Sequence, residues 1–332
     1  MRLPTYAIVG LAIMAVSEVL MLAHVEPFWS WHTPIAWSGY VLFVDGLVRV
    51  RRGSSWLTDA TAEFTFLALV SIPLWLIFEF YNLLIRNWHY INLPVSPFWR
   101  NFGYAWSFAT IWPAIFETAE LVATFRGNSG AFALRQAPDF AFHASSGRRS
   151  FSVGGSLWRR WQGERSTTVR RGPQRGSRAG VPRGEPVEPR TTSLSPLAWA
   201  SIVAGAVMLL RPIVSPSPYL AAPVWLGFIF LLDPLNRRWG AEAMWKEWTD
   251  RGRERLVNLT ISGLICGVIW EFWNYWARAK WIYTVPILPN LKIFEMPLPG
   301  YLGFPAFALE CFTLYVAARR WLWRGPIRPI GL

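Results

Sequence analysis

The chain has 332 residues, 53% of them apolar, 22 tryptophans and a formal net charge of +13. Its apolar residues gather into runs of about twenty, which excludes an ordinary soluble core and points to a bilayer, where Trp and Tyr collect at the headgroup level. The charge does not imply nucleic acid: residues 127–193 carry 12 Arg against 4 acidic residues, and most other basic residues flank apolar runs, where they set orientation and meet anionic lipid.

The first run, Tyr6 to His24, follows Arg2, carries Glu18 and lacks a small-residue cleavage site, so it reads as an uncleaved first span. Further runs lie near 34–50, 59–85, 101–126, 196–214, 219–235, 254–277 and 299–320. The expectation is an all-α polytopic membrane bundle of about eight spans. Pro34 and Pro223 mark the ends of the shorter second and sixth runs. Pro73 and Pro113 fall inside the third and fourth, where spans tolerate the lost backbone donor if neighbours satisfy the freed carbonyl. Loops on one side carry Arg49, Arg51, Arg52, Arg237, Arg238, Lys246, Arg251, Arg253 and Arg255, and the C-terminus adds Arg319, Arg320, Arg324 and Arg328. The positive-inside rule then places both termini in the cytoplasm of a bacterial inner membrane, with the Trp-, Tyr- and Pro-rich loops outside.

The chain repeats itself. Trp37, Gly39 and Asp45 recur as Trp225, Gly227 and Asp233, shifted by 188. Phe78-Glu79-Phe80-Tyr81-Asn82 recurs as Trp270-Glu271-Phe272-Trp273-Asn274, shifted by 192. Trp88 and Tyr90 map on Trp281 and Tyr283, and Glu117 on Glu310, shifted by 193. An even number of spans per copy requires both copies to insert the same way, so two parallel four-helix repeats are expected, residues 1–126 and 194–332. Residues 127–193, rich in Arg, Gly, Ser and Pro, read as a disordered basic cytoplasmic linker.

Carboxylates in hydrocarbon cost a few kcal/mol and need partners. Glu18, Asp45, Glu63, Glu79, Glu117, Glu120, Asp233, Glu271 and Glu310 fall within the runs, where Lys and Arg are almost absent, so some must be protonated, hydrated or metal-bound. Asp45 and Asp233 have an arginine four residues on, Arg49 and Arg237, and read as helical ion pairs. The duplicated Glu-x-x-Asn places Glu79 with Asn82, and Glu271 with Asn274, on one helix face. Glu117 and Glu310 lie mid-span in the following helices, placed to face those pairs. Glu79, Glu117, Glu271 and Glu310 are the expected catalytic carboxyls. Asn82, Asn274, Tyr81, Trp270, Trp273, Trp281 and Tyr283 are the expected substrate-binding set. Equally, such a motif serves as interhelical glue, at about 0.6 to 2 kcal/mol per bond. Cys266 and Cys311 sit in apolar runs as fillers. The four histidines lack metal-ligand spacing, and no cofactor motif is present.

Glu271, Trp281, Tyr283, Pro286 and Pro297-Leu298 together resemble the tandem-repeat lycopene cyclases of bacteria and fungi. The resemblance implies acid-assisted cyclisation of a long apolar polyene within a helical bundle. Where that family carries Pro-x-Glu-Glu, this chain has Pro297-Leu298-Pro299-Gly300, and its repeats have four spans rather than three. Three functions follow from the sequence: an enzyme acting on an apolar isoprenoid-like lipid, a proton- or cation-coupled transporter, and a non-catalytic membrane assembly protein. The partners expected are membrane lipid and an apolar small molecule.

Overall fold

A computed structural model of the chain describes residues 2–127, 194–244 and 250–332; of the expected linker only Gly127 falls within them. Long helices stand at all eight predicted positions: α1 (Thr5–Leu22), α2 (His32–Arg52), α4 (Thr61–Ile85), α5 (Pro97–Phe125), α6 (Pro196–Val214), α7 (Ala221–Arg238), α8 (Asp250–Trp276) and α9 (Gly303–Leu322), with a single turn, α3 (Trp56–Asp59), before α4. Six of these helical segments are long and apolar enough to cross a membrane. The other two, α2 and α5, are wrapped by protein: Trp37, Val44 and Asp45 of α2 and Trp112, Phe116, Glu117 and Glu120 of α5 are buried, so these helices need not be apolar all round. Only 22% of the apolar window is buried in α1, in α6 and in the segment of α7, against 50% for α9, so these three helices expose most of that surface.

Helix α1 packs on α2, α2 on α5, and α5 on α4; α6 packs on α7, α7 on α9, and α9 on α8. Small residues allow the closest approaches. A Cβ on Gly10 would lie 2.5 Å from the Gly39 carbonyl oxygen, joining α1 to α2. One on Gly205 would lie 2.7 Å from the Gly227 carbonyl oxygen, joining α6 to α7 in the same way. Helix α4 also touches α6, α7 and α9, while α8 touches α2 and α5. The Tyr81 hydroxyl of α4 donates to the Leu209 carbonyl of α6 (3.1 Å), and the Trp273 indole of α8 donates to Glu18 of α1. Beside Pro113, the Ser71 hydroxyl of α4 donates to the Phe108 carbonyl and accepts from the Trp112 amide, supporting α5 where proline interrupts its ladder.

The fold is not purely helical. Strand β1 (Trp88–Ile91), just after α4, pairs antiparallel with β2 (Lys280–Tyr283), just after α8. A shorter ribbon joins β3 (Lys292–Ile293) to β4 (Met296–Pro297). In the first ribbon Trp88 opposes Tyr283 and Tyr90 opposes Trp281. Alternation along a strand puts all four rings on one face, with exposed His89 on the other.

Candidate functional site

Two ends of the bundle hold their carboxylates differently. At the arginine-rich end, Glu63 accepts from Arg319 (2.9 Å) and from the Arg328 backbone amide (2.7 Å). Glu120 accepts from Arg328 through Nε (2.8 Å) and Nη2 (2.6 Å), and pairs with Arg52 at 3.2 Å. Glu242 pairs with Arg255 at 2.7 Å and also with Arg319. Arginine therefore neutralises Glu63 and Glu120, two of the nine acids the sequence places in the runs. Arg328 comes from the segment beyond α9, which tucks into the bundle with Ile330 and Arg328 fully buried.

Asp45 also departs from expectation. It accepts from Tyr6 (2.6 Å), Ser55 (2.8 Å) and the Leu57 amide (2.9 Å), while Arg49 pairs with Asp59 at 2.7 Å. The helical pair loses because Asp45 points inward, where three donors from α1 and the turn after α2 already meet it. Asp233 likewise accepts from the Met244 amide (2.8 Å), in the loop after α7.

At the ribbon end, the two Glu-x-x-Asn motifs work as paired clamps. Asn82 donates to the Trp88 carbonyl (2.9 Å) and accepts from the Asn87 and Trp88 amides, fixing the start of β1. Asn274 donates to the Trp281 carbonyl (2.8 Å) and accepts from the Trp281 amide (2.9 Å), fixing β2. Both asparagines thus position the ribbon. Glu79 accepts at one oxygen from the Trp75 indole (2.8 Å), the Trp88 indole (3.4 Å) and the Tyr90 hydroxyl. Glu271 is fully buried and accepts at one oxygen from the Tyr283 hydroxyl (2.9 Å), which itself accepts from the Trp281 indole (2.9 Å). Its second oxygen has no hydrogen-bond partner. The difference is local: at the position of Trp75 the second half has Gly267, and the Phe304 ring fills the space a side chain there would take. Burial and the neighbouring carboxylates push the Tyr90 and Tyr283 hydroxyls well above the ordinary phenol range, so both remain donors.

These rings wall a cavity of ≈ 510 Å³, within the range of sites for small molecules. Trp75, Trp88, Tyr90, Trp281 and Tyr283 line it, with Trp37, Trp225, Trp270 and Phe307 from four helices. Of the expected site residues, the structure brings Trp270, Trp281 and Tyr283 to the cavity itself. Glu79 and Glu271 stand one residue behind its wall, bound to lining rings. Glu117 and Glu310 lie elsewhere: Glu117 is buried beside Asp45, and Glu310 is buried against the Phe228 backbone. Tyr81 and Trp273 are the ties to α6 and α1 already described. Trp88 and Tyr90 belong to the duplication and could have been found from it. Trp75 could not, because its counterpart is glycine. No group of three or more His, Cys, Asp or Glu that could hold a metal ion occurs among the described residues.

No family model, curated protein or solved structure matches the chain.

Proposed function

We propose that this membrane protein is an enzyme that carries out acid-assisted rearrangement, cyclisation or double-bond migration, of an apolar isoprenoid-like molecule in the aromatic cavity. The carrying observation is the buried Tyr283–Glu271 pair at its wall, with one carboxyl oxygen buried and without a hydrogen-bond partner among the described residues. In the proposed step Glu271 first takes up a proton and its hydrogen bond with Tyr283 reverses; the Tyr283 hydroxyl then gives its proton to an alkene carbon while the Glu271 acid returns one to the phenol oxygen. The alkene electron pair forms the new C–H bond and leaves a carbocation. The indole faces of Trp225 and Trp270, and the carboxylate of Glu79 behind Trp75, Trp88 and Tyr90, stabilise that charge. Loss of a proton from a neighbouring carbon to the Tyr283 oxygen, whose own proton returns to the Glu271 carboxylate behind it, restores the enzyme, so the net change is an isomerisation needing no oxidant or reductant.

The same reading takes the chain as two parallel four-helix repeats with the cavity where they meet. Four features support it: equivalent packing orders, the Gly10–Gly39 and Gly205–Gly227 contacts, the reciprocal reach of Tyr81 and Trp273, and the ribbon register, which sets each strand's Trp opposite the other's Tyr. The arginine-rich end is then cytoplasmic, in a bacterial inner membrane, and the cavity opens toward the outer face.

The test is a comparison of extracted lipids and pigments from cells with and without the protein. An apolar species should be consumed and an isomer of equal mass should appear. Identical profiles would remove the enzymatic reading.

A further inference from the structure

We propose that the cavity's ligand is a single-chain amphiphile with an anionic, phosphate-type headgroup, held at Arg100 while its chain runs inward along α5. This rests on the reading that the cavity accepts an isoprenoid-like chain, and adds what its head must be. One stripe of α5 lines the cavity: Arg100, Gly103, Tyr104, Ser107, Phe108 and Ile111. At 1.5 Å per residue this stripe is about 16 Å long. Its first turn carries the cation and its inner end is wholly apolar, so the cavity is graded from charged to hydrocarbon-like along one axis.

The charge at the outer end is uncompensated. Arg100 is half-buried, and among the described residues no hydrogen bond or ion pair engages its guanidinium. Lys280, the other cation in the lining, is occupied by Glu295 at 2.8 Å. Arg278, on the same end but outside the lining, is occupied by Glu26 at 2.8 Å. Glu79, an acid behind the wall, is engaged by Trp75, Trp88 and Tyr90. A planar guanidinium left open beside an aromatic slot suits a phosphate oxygen pair better than a neutral alcohol. A neutral polyene would leave Arg100 without a role.

The experiment is equilibrium binding to the purified full chain in a neutral maltoside detergent, with radiolabelled farnesyl phosphate and farnesol as probes. Farnesyl phosphate should bind at least about tenfold more tightly than farnesol, the scale of one charge-assisted hydrogen bond. Arg100→Gln should erase that ratio and leave farnesol binding unchanged. Arg86→Gln, an exposed residue outside the lining, should preserve it. Equal affinities in the unaltered protein, or a ratio that survives Arg100→Gln, would overturn the headgroup assignment and leave the cavity reading standing. Displacement of farnesyl phosphate by equimolar dioleoyl phosphatidic acid would overturn it in favour of bilayer lipid. Binding of neither probe would remove both.

Discussion

The two ends of this bundle solve one problem, carboxyl groups buried among helices, with different partners. At the arginine end Glu63 and Glu120 meet guanidinium groups from α9 and the tail. At the ribbon end Glu79 and Glu271 meet only the N–H and O–H of Trp and Tyr. A buried ion pair fixes geometry and consumes the charge. A carboxyl held by neutral donors is not committed to an ion pair and can take up or release a proton, and here those donors face a cavity. In the proposed enzyme it is the position of the partners, not the buried acids themselves, that separates architecture from chemistry.

Removing Glu120 should break that contrast most severely. Glu120→Ala leaves Arg328 and Arg52 buried without their carboxylate and should lower stability by about 3–5 kcal/mol. Thermal unfolding in detergent measures it, and a loss below about 1 kcal/mol would show the network to be dispensable. The opposite end should respond otherwise: Glu271→Gln keeps an acceptor for Tyr283, so unfolding should barely move while the proposed turnover falls by about 10²–10⁴.

The proposed equivalence of the halves is tested by the glycine contacts. Gly10→Val and Gly205→Val should each cost about 1–3 kcal/mol by overpacking, and by similar amounts. A large cost at one site alone would separate the two helix pairs. Asn82→Ala and Asn274→Ala should each cost about 1–3 kcal/mol by leaving strand amides unsatisfied, and should loosen the ribbon in hydrogen exchange.

The smallest effect belongs to the surface pair Arg49–Asp59. Burial works against its ionisation, but the Thr58 hydroxyl, the Ser55 amide and Arg49 hold Asp59 below the ordinary carboxylate range. A depressed carboxyl stabilises the fold above its unfolded value and loses that contribution as pH falls through the folded one. The Asp59→Asn difference should therefore be at most about 1 kcal/mol at neutral pH, shrink below about pH 4, and be reduced by salt.

The helices were legible because apolar runs and bounding prolines write them directly into the chain, and the Glu-x-x-Asn pairs because they occur twice. The ribbon was half legible: Trp88-His89-Tyr90-Ile91 has strand-like aromatic alternation, but its partner is almost two hundred residues away. Neither the seat of Arg328 against Glu120 nor the departure of Glu117 from Glu79 is written in any local spacing. Both depend on which way α5 is rotated in the bundle, a matter settled by packing against α2 and α8. Arg100 reads in sequence as one more span-end cation, and only the cavity distinguishes it.

The decisive experiment compares lipid extracts from cells carrying the Glu79→Gln, Glu271→Gln double variant with those of the unaltered chain at equal folded protein levels. Thermal unfolding should be unchanged and the isomeric product wholly lost. A stable double variant that still forms the product would show that these carboxyls do not carry the reaction.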